Sequence, residues 1–366
     1  MILFDDVTKH YADGTLVVDR LSFSAPTGKL TILVGPSGCG KTTSLRMINR
    51  LIQPSSGKIL LNGQSTEEMD VVQLRRKIGY VIQSAGLFPH KTIVDNVAVT
   101  ARLNGASRHA ARKTAMELLE RVGLSAALAQ RYPWQLSGGQ QQRVGVARAL
   151  ASDPEFMLMD EPFSAVDPVV REQLQDEFLR LQRDIGKTII MVTHDIDEAM
   201  KLGDRIAVLR PGGRLAQIAS PAELLNAPRD PFVADFIGRD RGYRKLTFSA
   251  IHPRLALQDE PAVALGSSTA EARNCANGRW VLVVEEGRPL GWFDLNQPRE
   301  VVGRQDLNLG STFAPLSGSL RQLTDAVLSS PCQRGIVVDE QQKLLGSVNM
   351  ESVLAALQNH GAGEAS

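Results

Sequence analysis

Short apolar runs alternate with longer segments of helical spacing over the first two-thirds of the chain. The runs are residues 30–34 (Leu-Thr-Ile-Leu-Val), 78–82 (Ile-Gly-Tyr-Val-Ile), 156–159 (Phe-Met-Leu-Met) and 188–192 (Thr-Ile-Ile-Met-Val). None shows a regular apolar–polar alternation, so each predicts a strand covered on both faces. Residues 41–50, 108–122, 138–151 and 169–183 instead carry helical patterns. Strand and helix in alternation predict an α/β fold with parallel strands. Prolines 228 and 231 then interrupt the pattern, and Gly238-Arg239-Asp240-Arg241-Gly242 mixes glycine with charge. The expected division is a first domain over residues 1–238 and a smaller α+β domain over 239–366.

The second part repeats itself. Val281-Leu282-Val283-Val284-Glu285 leads through Arg288-Pro289-Leu290 to Gly291, and Gly335-Ile336-Val337-Val338-Asp339 leads through Lys343-Leu344-Leu345 to Gly346. The two glycines lie 55 residues apart, and the order strand, acidic turn, strand, glycine occurs twice. Either a duplicated unit or two unrelated hairpins would give this pattern.

Composition narrows the function. The chain has 366 residues, 43% hydrophobic and 22% charged, which suits two ordinary globular cores. Lys+Arg 41 against Asp+Glu 40 gives a net charge of +1, which argues against a nucleic-acid binder working through a broad basic face. Cys39, Cys275 and Cys332 have neither disulfide nor metal-ligand spacing. The start, Met-Ile-Leu-Phe-Asp-Asp, meets acid at once and does not read as a signal peptide. No stretch approaches the roughly 20 apolar residues that cross a bilayer. A cytosolic chain that reaches membranes only through partners is the expectation.

Three segments carry chemistry. Gly35-Pro36-Ser37-Gly38-Cys39-Gly40-Lys41-Thr42-Thr43 fits G-x-x-x-x-G-K-[ST] between a predicted strand and a predicted helix. Its glycines let backbone N–H groups wrap phosphate oxygens at a helix N-terminus. Lys41 would reach the β- and γ-phosphates, and the Thr42 hydroxyl would ligate Mg²⁺. Asp160 and Glu161 end an apolar strand, where two carboxylates need a cation nearby. Asp160 fits the second anchor of a phosphate-bound Mg²⁺, and Glu161 a base for attacking water. Cys39, beside Lys41 and a helix start, is expected to have a lowered thiol pKa.

The third segment, Leu136-Ser137-Gly138-Gly139-Gln140 followed by Gln141-Gln142-Arg143, resembles the signature of ATP-binding cassette (ABC) ATPases. The other cassette motifs follow in family order over residues 1–238. Tyr11 resembles the adenine-stacking aromatic, Gln83 the Q-loop glutamine, Ser164-Ala165-Val166-Asp167 the D-loop, and His194 the switch histidine. The resemblance implies cassettes paired head to tail as a homodimer. Each ATP then lies between the Lys41 loop of one copy and Ser137, Gly138, Gly139 and Gln140 of the other. Gln83 is implied to contact Mg²⁺ or the attacking water, His194 to hold the γ-phosphate and orient Glu161, and Asp167 to link the two sites.

Residues 47–52, 79–83 and 171–177 resemble cassettes of bacterial quaternary-amine osmoprotectant importers for glycine betaine, carnitine, choline or proline. Ser164 and Val166 depart from the Gly and Leu usual there. The implied partners are integral membrane permease subunits, met at the Leu87-Phe88-Pro89 loop, and an extracytoplasmic solute-binding protein. The implied place is the cytoplasmic face of the bacterial inner membrane, as a peripheral subunit. Such importers often end in tandem cystathionine-β-synthase (CBS) domains, which the 55-residue repeat fits in length and order. Asn349 and Glu351 after Gly346, and Asp294 and Gln297 after Gly291, depart from the Ser/Thr and Asp of nucleotide-binding modules. Electrostatic sensing of ionic strength by Arg239, Arg241, Arg244 and Lys245 at the junction is therefore the expectation for the tail, with a merely dimerising scaffold left open. A soluble ABC ATPase of translation or repair is disfavoured, since the chain has one cassette, no heptad insert and no basic excess. An importer of another solute stays open.

Overall fold

The structure is a computed structural model that describes residues 1–366 apart from 165, 239–240, 252–254 and 364–366, together with the side chains of 169 and 357–363. Ala165 of the predicted D-loop and Arg239 of the junction lie outside the described residues. Two units divide the chain, Met1–Ile237 and Gly238–Ser366.

Among its described residues the first unit holds ten strands: β1 (Ile2–His10), β2 (Leu16–Ala25), β3 (Leu30–Val34), β4 (Ser56–Leu61), β5 (Gln64–Ser65), β6 (Ile78–Val81), β7 (Phe156–Asp160), β8 (Thr188–Val192), β9 (Arg205–Arg210) and β10 (Arg214–Ala219). Its helices are α1 (Lys41–Ile48), α2 (Val71–Arg76), α3 (Ile93–Leu103), α4 (Arg108–Arg121), α5 (Gly138–Leu150), α6 (Pro168–Ile185), α7 (Ile196–Leu202), α8 (Pro221–Asn226) and α9 (Pro231–Ile237). One sheet runs β10-β9-β3-β8-β7-β6, parallel throughout except for β10 against β9. A second, antiparallel sheet runs β2-β1-β4-β5.

The four apolar runs are β3, β6, β7 and β8, and every residue of β3, β7 and β8 is buried. Their side chains alternate between two cores. Ile32, Val34, Met157, Met159, Ile189 and Met191 pack with apolar residues of α3, α4 and α5. Leu33, Leu158, Ile190 and Val192 pack with Leu45 and Ile48 of α1 and with Phe4, Val18 and Leu21 of the antiparallel sheet. Each fully buried Leu, Ile or Phe contributes about 1.5–3 kcal/mol of transfer free energy, so this doubly covered sheet is the rigid part of the unit. The register Val81↔Met159, Asp160↔Val192 and Leu33↔Val192 brings the carboxyl ends of β6, β7, β8 and β3 to one edge. Ligands of parallel α/β sheets collect at that edge.

In the second unit β11 (Ala262–Ala264), β12 (Trp280–Glu285), β13 (Arg288–Asp294) and β14 (Leu307–Asn308) form one sheet, and β15 (Phe313–Pro315), β16 (Gly335–Val338) and β17 (Leu344–Val348) another. Its helices are α10 (Arg241–Lys245), α11 (Thr269–Cys275), α12 (Leu320–Ser329) and α13 (Met350–Gly363). β11 is parallel to β12 and β12 antiparallel to β13; β15, β16 and β17 repeat that pairing. Gly291 opposes Val283, Gly346 opposes Val337, and a register shift follows each pair. A Cβ on Gly291 would meet the Asn308 carbonyl oxygen at 2.6 Å, and one on Gly346 the Gln258 carbonyl oxygen at 2.7 Å. Both connecting helices begin with a reciprocal cap, Ser268 with Glu271 and Ser319 with Gln322. Of the two readings of the 55-residue spacing, this geometry selects a duplicated β-α-β-β unit. The side chains after each glycine hold structure: Asp294 makes a bidentate pair with Arg279 at 3.0 and 2.7 Å, and Asn349 caps the last helix through Ser352. Arg241, Arg244 and Lys245 lie on α10, where Tyr243 donates to Asp325.

Candidate functional site

The loop from Gly35 to Gly40 joins the buried end of β3 to α1 and needs its glycines. Gly40 sits at φ 85°, and a Cβ there would meet the Val17 carbonyl oxygen at 2.6 Å. On Gly35 a Cβ would meet the Leu209 carbonyl oxygen at 2.4 Å. Lys41 is 7% exposed, and its ammonium donates to the carbonyls of Gly35 at 2.8 Å and Pro36 at 3.0 Å, so it lies back along its own loop. The Thr42 hydroxyl donates to Asp160 Oδ1 at 2.9 Å. Loop and β7 end are thereby joined through one hydroxyl–carboxylate contact.

Asp160 is 6% exposed, and burial raises its carboxyl pKa above the usual carboxylate range. The Thr42 bond and Arg46, 4.0 Å away, act in the opposite direction. A buried carboxylate bonded to a hydroxyl is a hard oxygen pair suited to a small divalent cation. Among the described residues no three His, Cys, Asp or Glu side chains group as a metal site. A cation held here would take its other ligands from phosphate and water, as Mg²⁺ commonly does.

Glu161, Gln83 and His194 come from three different strand ends and meet. Gln83 Nε2 donates to Glu161 Oε2 at 3.1 Å, and His194 Nδ1 lies 3.2 Å from the same oxygen. Glu161 stands at φ 46°, in the left-handed region that a side chain normally avoids. Its N–H donates to the Val192 carbonyl at 2.9 Å, and its own carbonyl accepts from the Ser164 hydroxyl at 2.9 Å. A glycine at 164 could not make that second bond, so Ser164 helps to hold the strained backbone that aims Glu161. An open cleft of about 580 Å³ is lined by Ser37, Gly38, Cys39, Lys41, Thr42, Thr43, Glu161 and His194. Tyr11, 42% exposed, sits 3.5 Å from the Thr43 hydroxyl, with the Lys9 ammonium 5.6 Å from its ring centre.

Ser137, Gly138, Gly139 and Gln140 lie elsewhere, at the start of α5 and outside that lining. Ser137 and Gln140 cap the helix reciprocally, at 3.0 and 3.3 Å. Asp167 opens α6, and its carbonyl accepts from the Arg171 N–H at 2.8 Å. Within one copy, then, the phosphate loop and the Gln83–Glu161–His194 cluster are together, and the signature is apart from them.

Cys39 corrects an expectation. The thiol is fully buried, and that burial raises its pKa; Lys41 acts the other way and is outweighed. Proximity to charge was legible in the sequence, and the burial of Cys39 in a cluster with Val18 and Leu209 was not.

Two residues escaped the sequence reading. Asn96, fully buried on α3, accepts from the Phe88 N–H at 2.7 Å and donates to the carbonyls of Phe88, Lys91 and Thr92 at 3.0–3.1 Å. Arg148 on α5 donates to the carbonyls of Ala85 and Gly86, both at 2.7 Å. Together they fix the loop after Gln83 and leave Phe88 40% exposed. Asn96 lies on α3, a helix that the apolar pattern does not predict, so its role shows only in the fold.

The glycine loop, the acidic strand end and the polar cluster around Glu161 define a nucleoside-triphosphatase site of the phosphate-loop class. The ABC transporter family matches residues 18–164. The chain is 46% identical to the osmoprotectant import ATP-binding protein OsmV of Salmonella typhimurium, over 83% of this chain and 81% of that one. It is 40% identical to the choline transport ATP-binding protein OpuBA of Bacillus subtilis, over 97% of this chain and 95% of that one. A dimeric post-hydrolysis structure of the ATP-binding cassette MJ0796 with ADP and Pi matches at TM-score 0.55 and 34% identity, covering 60% of this chain and 99% of that one. The chain belongs to the ABC transporter family, among its ATP-binding subunits. Among the described residues no helix is long and apolar enough to cross a membrane.

Proposed function

We propose that the chain is the ATP-hydrolysing subunit of an importer for quaternary-amine osmoprotectants. The carrying observation is the convergence of Gln83 and His194 on one oxygen of Glu161 beside the Lys41 loop. Glu161 acts as general base, taking a proton from the water that attacks the γ-phosphate. Gln83 and His194 hold its carboxylate by hydrogen bonds and orient it. The loop N–H groups from Gly38 to Thr43 and Lys41 bind the phosphates, and Tyr11 stacks on the base. Thr42, Asp160 and Gln83 are the residues that would hold Mg²⁺, which when bound neutralises phosphate charge. Ser137 to Gln140 complete the site of a second copy across a cassette dimer, and Asp167 links the two sites.

The osmoprotectant reading rests on the named roles of relatives, two of which match nearly end to end. The exposed Phe88 on its fixed loop is the surface for the permease, and the subunit works peripherally at the cytoplasmic face of the inner membrane. An extracytoplasmic binding protein delivers the solute. Residues 239–366 form a CBS-like regulatory domain whose basic junction restrains transport at low ionic strength. Co-expression with the permease and binding protein, reconstitution in vesicles, and uptake of labelled glycine betaine, carnitine, choline and proline test this. ATP-dependent uptake of at least one of them is expected. ATP-dependent uptake of unrelated amino acids alone would replace the substrate assignment.

A further inference from the structure

Trp134 is 73% exposed, the most exposed of the large hydrophobic side chains among the described residues. Its ring lies nearly parallel to that of Tyr132, 6.3 Å apart at 9°, so two aromatic faces form one shelf beside the start of α5. The backbone that carries the shelf is held in place. Tyr132 N–H donates to Gln135 Oε1 at 2.9 Å, and Gln141 Nε2 donates to the carbonyls of Pro133 and Leu136 at 3.0 and 3.2 Å. A parallel aromatic pair on a held backbone, open to water, is suited to stacking on a flat partner.

We infer that this shelf closes over the nucleotide base bound by a second copy of the chain, which makes Trp134 a base-positioning residue supplied across the dimer. The inference rests on the paired-cassette reading above. Trp134 precedes Ser137 by three residues, a span of at most about 10 Å. With Ser137 at the γ-phosphate of the other copy, Trp134 falls within reach of the sugar and base of the same nucleotide. The Lys41 side of the cleft leaves a need there. Tyr11 offers the base one aromatic face, and the other face of a base stacked on it would lie in water. The exposed Phe88 belongs to a different loop and carries the Lys91 ammonium 6.0 Å from its ring centre, so the two aromatic surfaces are separate.

The test uses the full chain with Glu161→Gln, which is expected to hold ATP without turnover. Dimer formation is followed by sedimentation as MgATP is titrated, with intrinsic fluorescence alongside. Trp280 and Trp292 are the other tryptophans, so the signal of Trp134 is the part removed by Trp134→Phe. A fluorescence change on MgATP that Trp134→Phe abolishes is expected. Trp134→Ala should raise the ATP needed for dimerisation about tenfold, within the range of base–aromatic stacking. Trp134→Phe should restore it to within about twofold. In the hydrolysis-competent chain Trp134→Ala should raise KM about tenfold with kcat little changed. Binding of inorganic tripolyphosphate, which has no base, should be the same with and without the substitution. Wild-type dimerisation, KM and fluorescence in these variants would overturn the inference. So would a loss seen only with the permease present, which would place the shelf on the membrane subunit. If the Glu161→Gln chain with Trp134 intact forms no dimer with MgATP, the paired-cassette reading fails and the inference falls with it.

Discussion

Replacing Asn96 by Ala probes how the loop after Gln83 is held. The fully buried amide satisfies the N–H and C=O of Phe88 and the carbonyls of Lys91 and Thr92. Net hydrogen bonds contribute about 0.5–1.5 kcal/mol each, and a buried group left without a partner costs about 1–3. The backbone of the half-exposed Phe88 can recruit water, so only part of that loss is felt. Better helix propensity in alanine returns at most about 0.7 kcal/mol. The sum is a loss of about 2 kcal/mol. For a domain of this size that lowers Tm by about 4–8 °C. Circular dichroism in urea and on heating measures it, and limited proteolysis should show new cleavage near Gly86–Phe88. Asn96→Asp separates polarity from geometry. It keeps an acceptor for Phe88 N–H but points a carboxylate at three carbonyls, so it should be worse than Ala at neutral pH and partly recover in acid. Stability of Asn96→Ala within about 0.5 kcal/mol of wild type, with unchanged proteolysis, would refute the reasoning.

Asp160→Asn should raise Tm at pH 7.5 while abolishing ATP turnover. Burial holds the Asp160 pKa above its unfolded value, so its favourable contribution is present at low pH and is lost as pH rises through the folded pKa. The Tm difference between Asn and wild type should therefore shrink toward pH 4. Cys39 should react with a thiol reagent far more slowly than the exposed Cys275 at pH 7.5, with or without MgATP, as peptide mapping would show. Gly346→Ala drives a Cβ to 2.7 Å from the Gln258 carbonyl oxygen, against the paired bonds of Gln258 with Ser347. It should cost about 2 kcal/mol or more, measured by calorimetry, whereas Gly→Ala without strain would stabilise by about 0.4–1.

The doubly covered sheet was legible because its strands are unbroken apolar runs. Residues 188–192 match β8 end for end, and 156–159 fall one residue short of β7. The antiparallel strands β1 and β2 were missed. They mix Asp5, Asp6, Lys9 and Arg20 into the pattern, and register shifts interrupt the pairing, so no regular alternation survives. α3 was missed as well, its Thr92 cap and Asp95 hidden behind the loop that precedes it. At the site, spacing named the phosphate loop and the acidic strand end. It could not show that Gln83 and His194, far apart in sequence, meet on one oxygen of Glu161, because strand register decides that. Burial misled the reading of Cys39 for the same reason: charge neighbours are local in sequence, and the apolar cluster with Val18 and Leu209 that buries the residue is not. The repeat was legible as spacing, and the close approach of a neighbouring carbonyl at both glycines needed the fold.

The most direct measurement is ATP turnover and ATP-driven dimerisation of Glu161→Gln beside the wild-type chain. The amide keeps the shape of the side chain that Gln83 and His194 hold, and it cannot take a proton from water. The account predicts that MgATP still binds, that turnover falls by at least about a hundredfold, within the range of general-base catalysis, and that an ATP-stabilised dimer accumulates in sedimentation. Turnover at the wild-type rate in that variant would contradict it and remove Glu161 from the role of base.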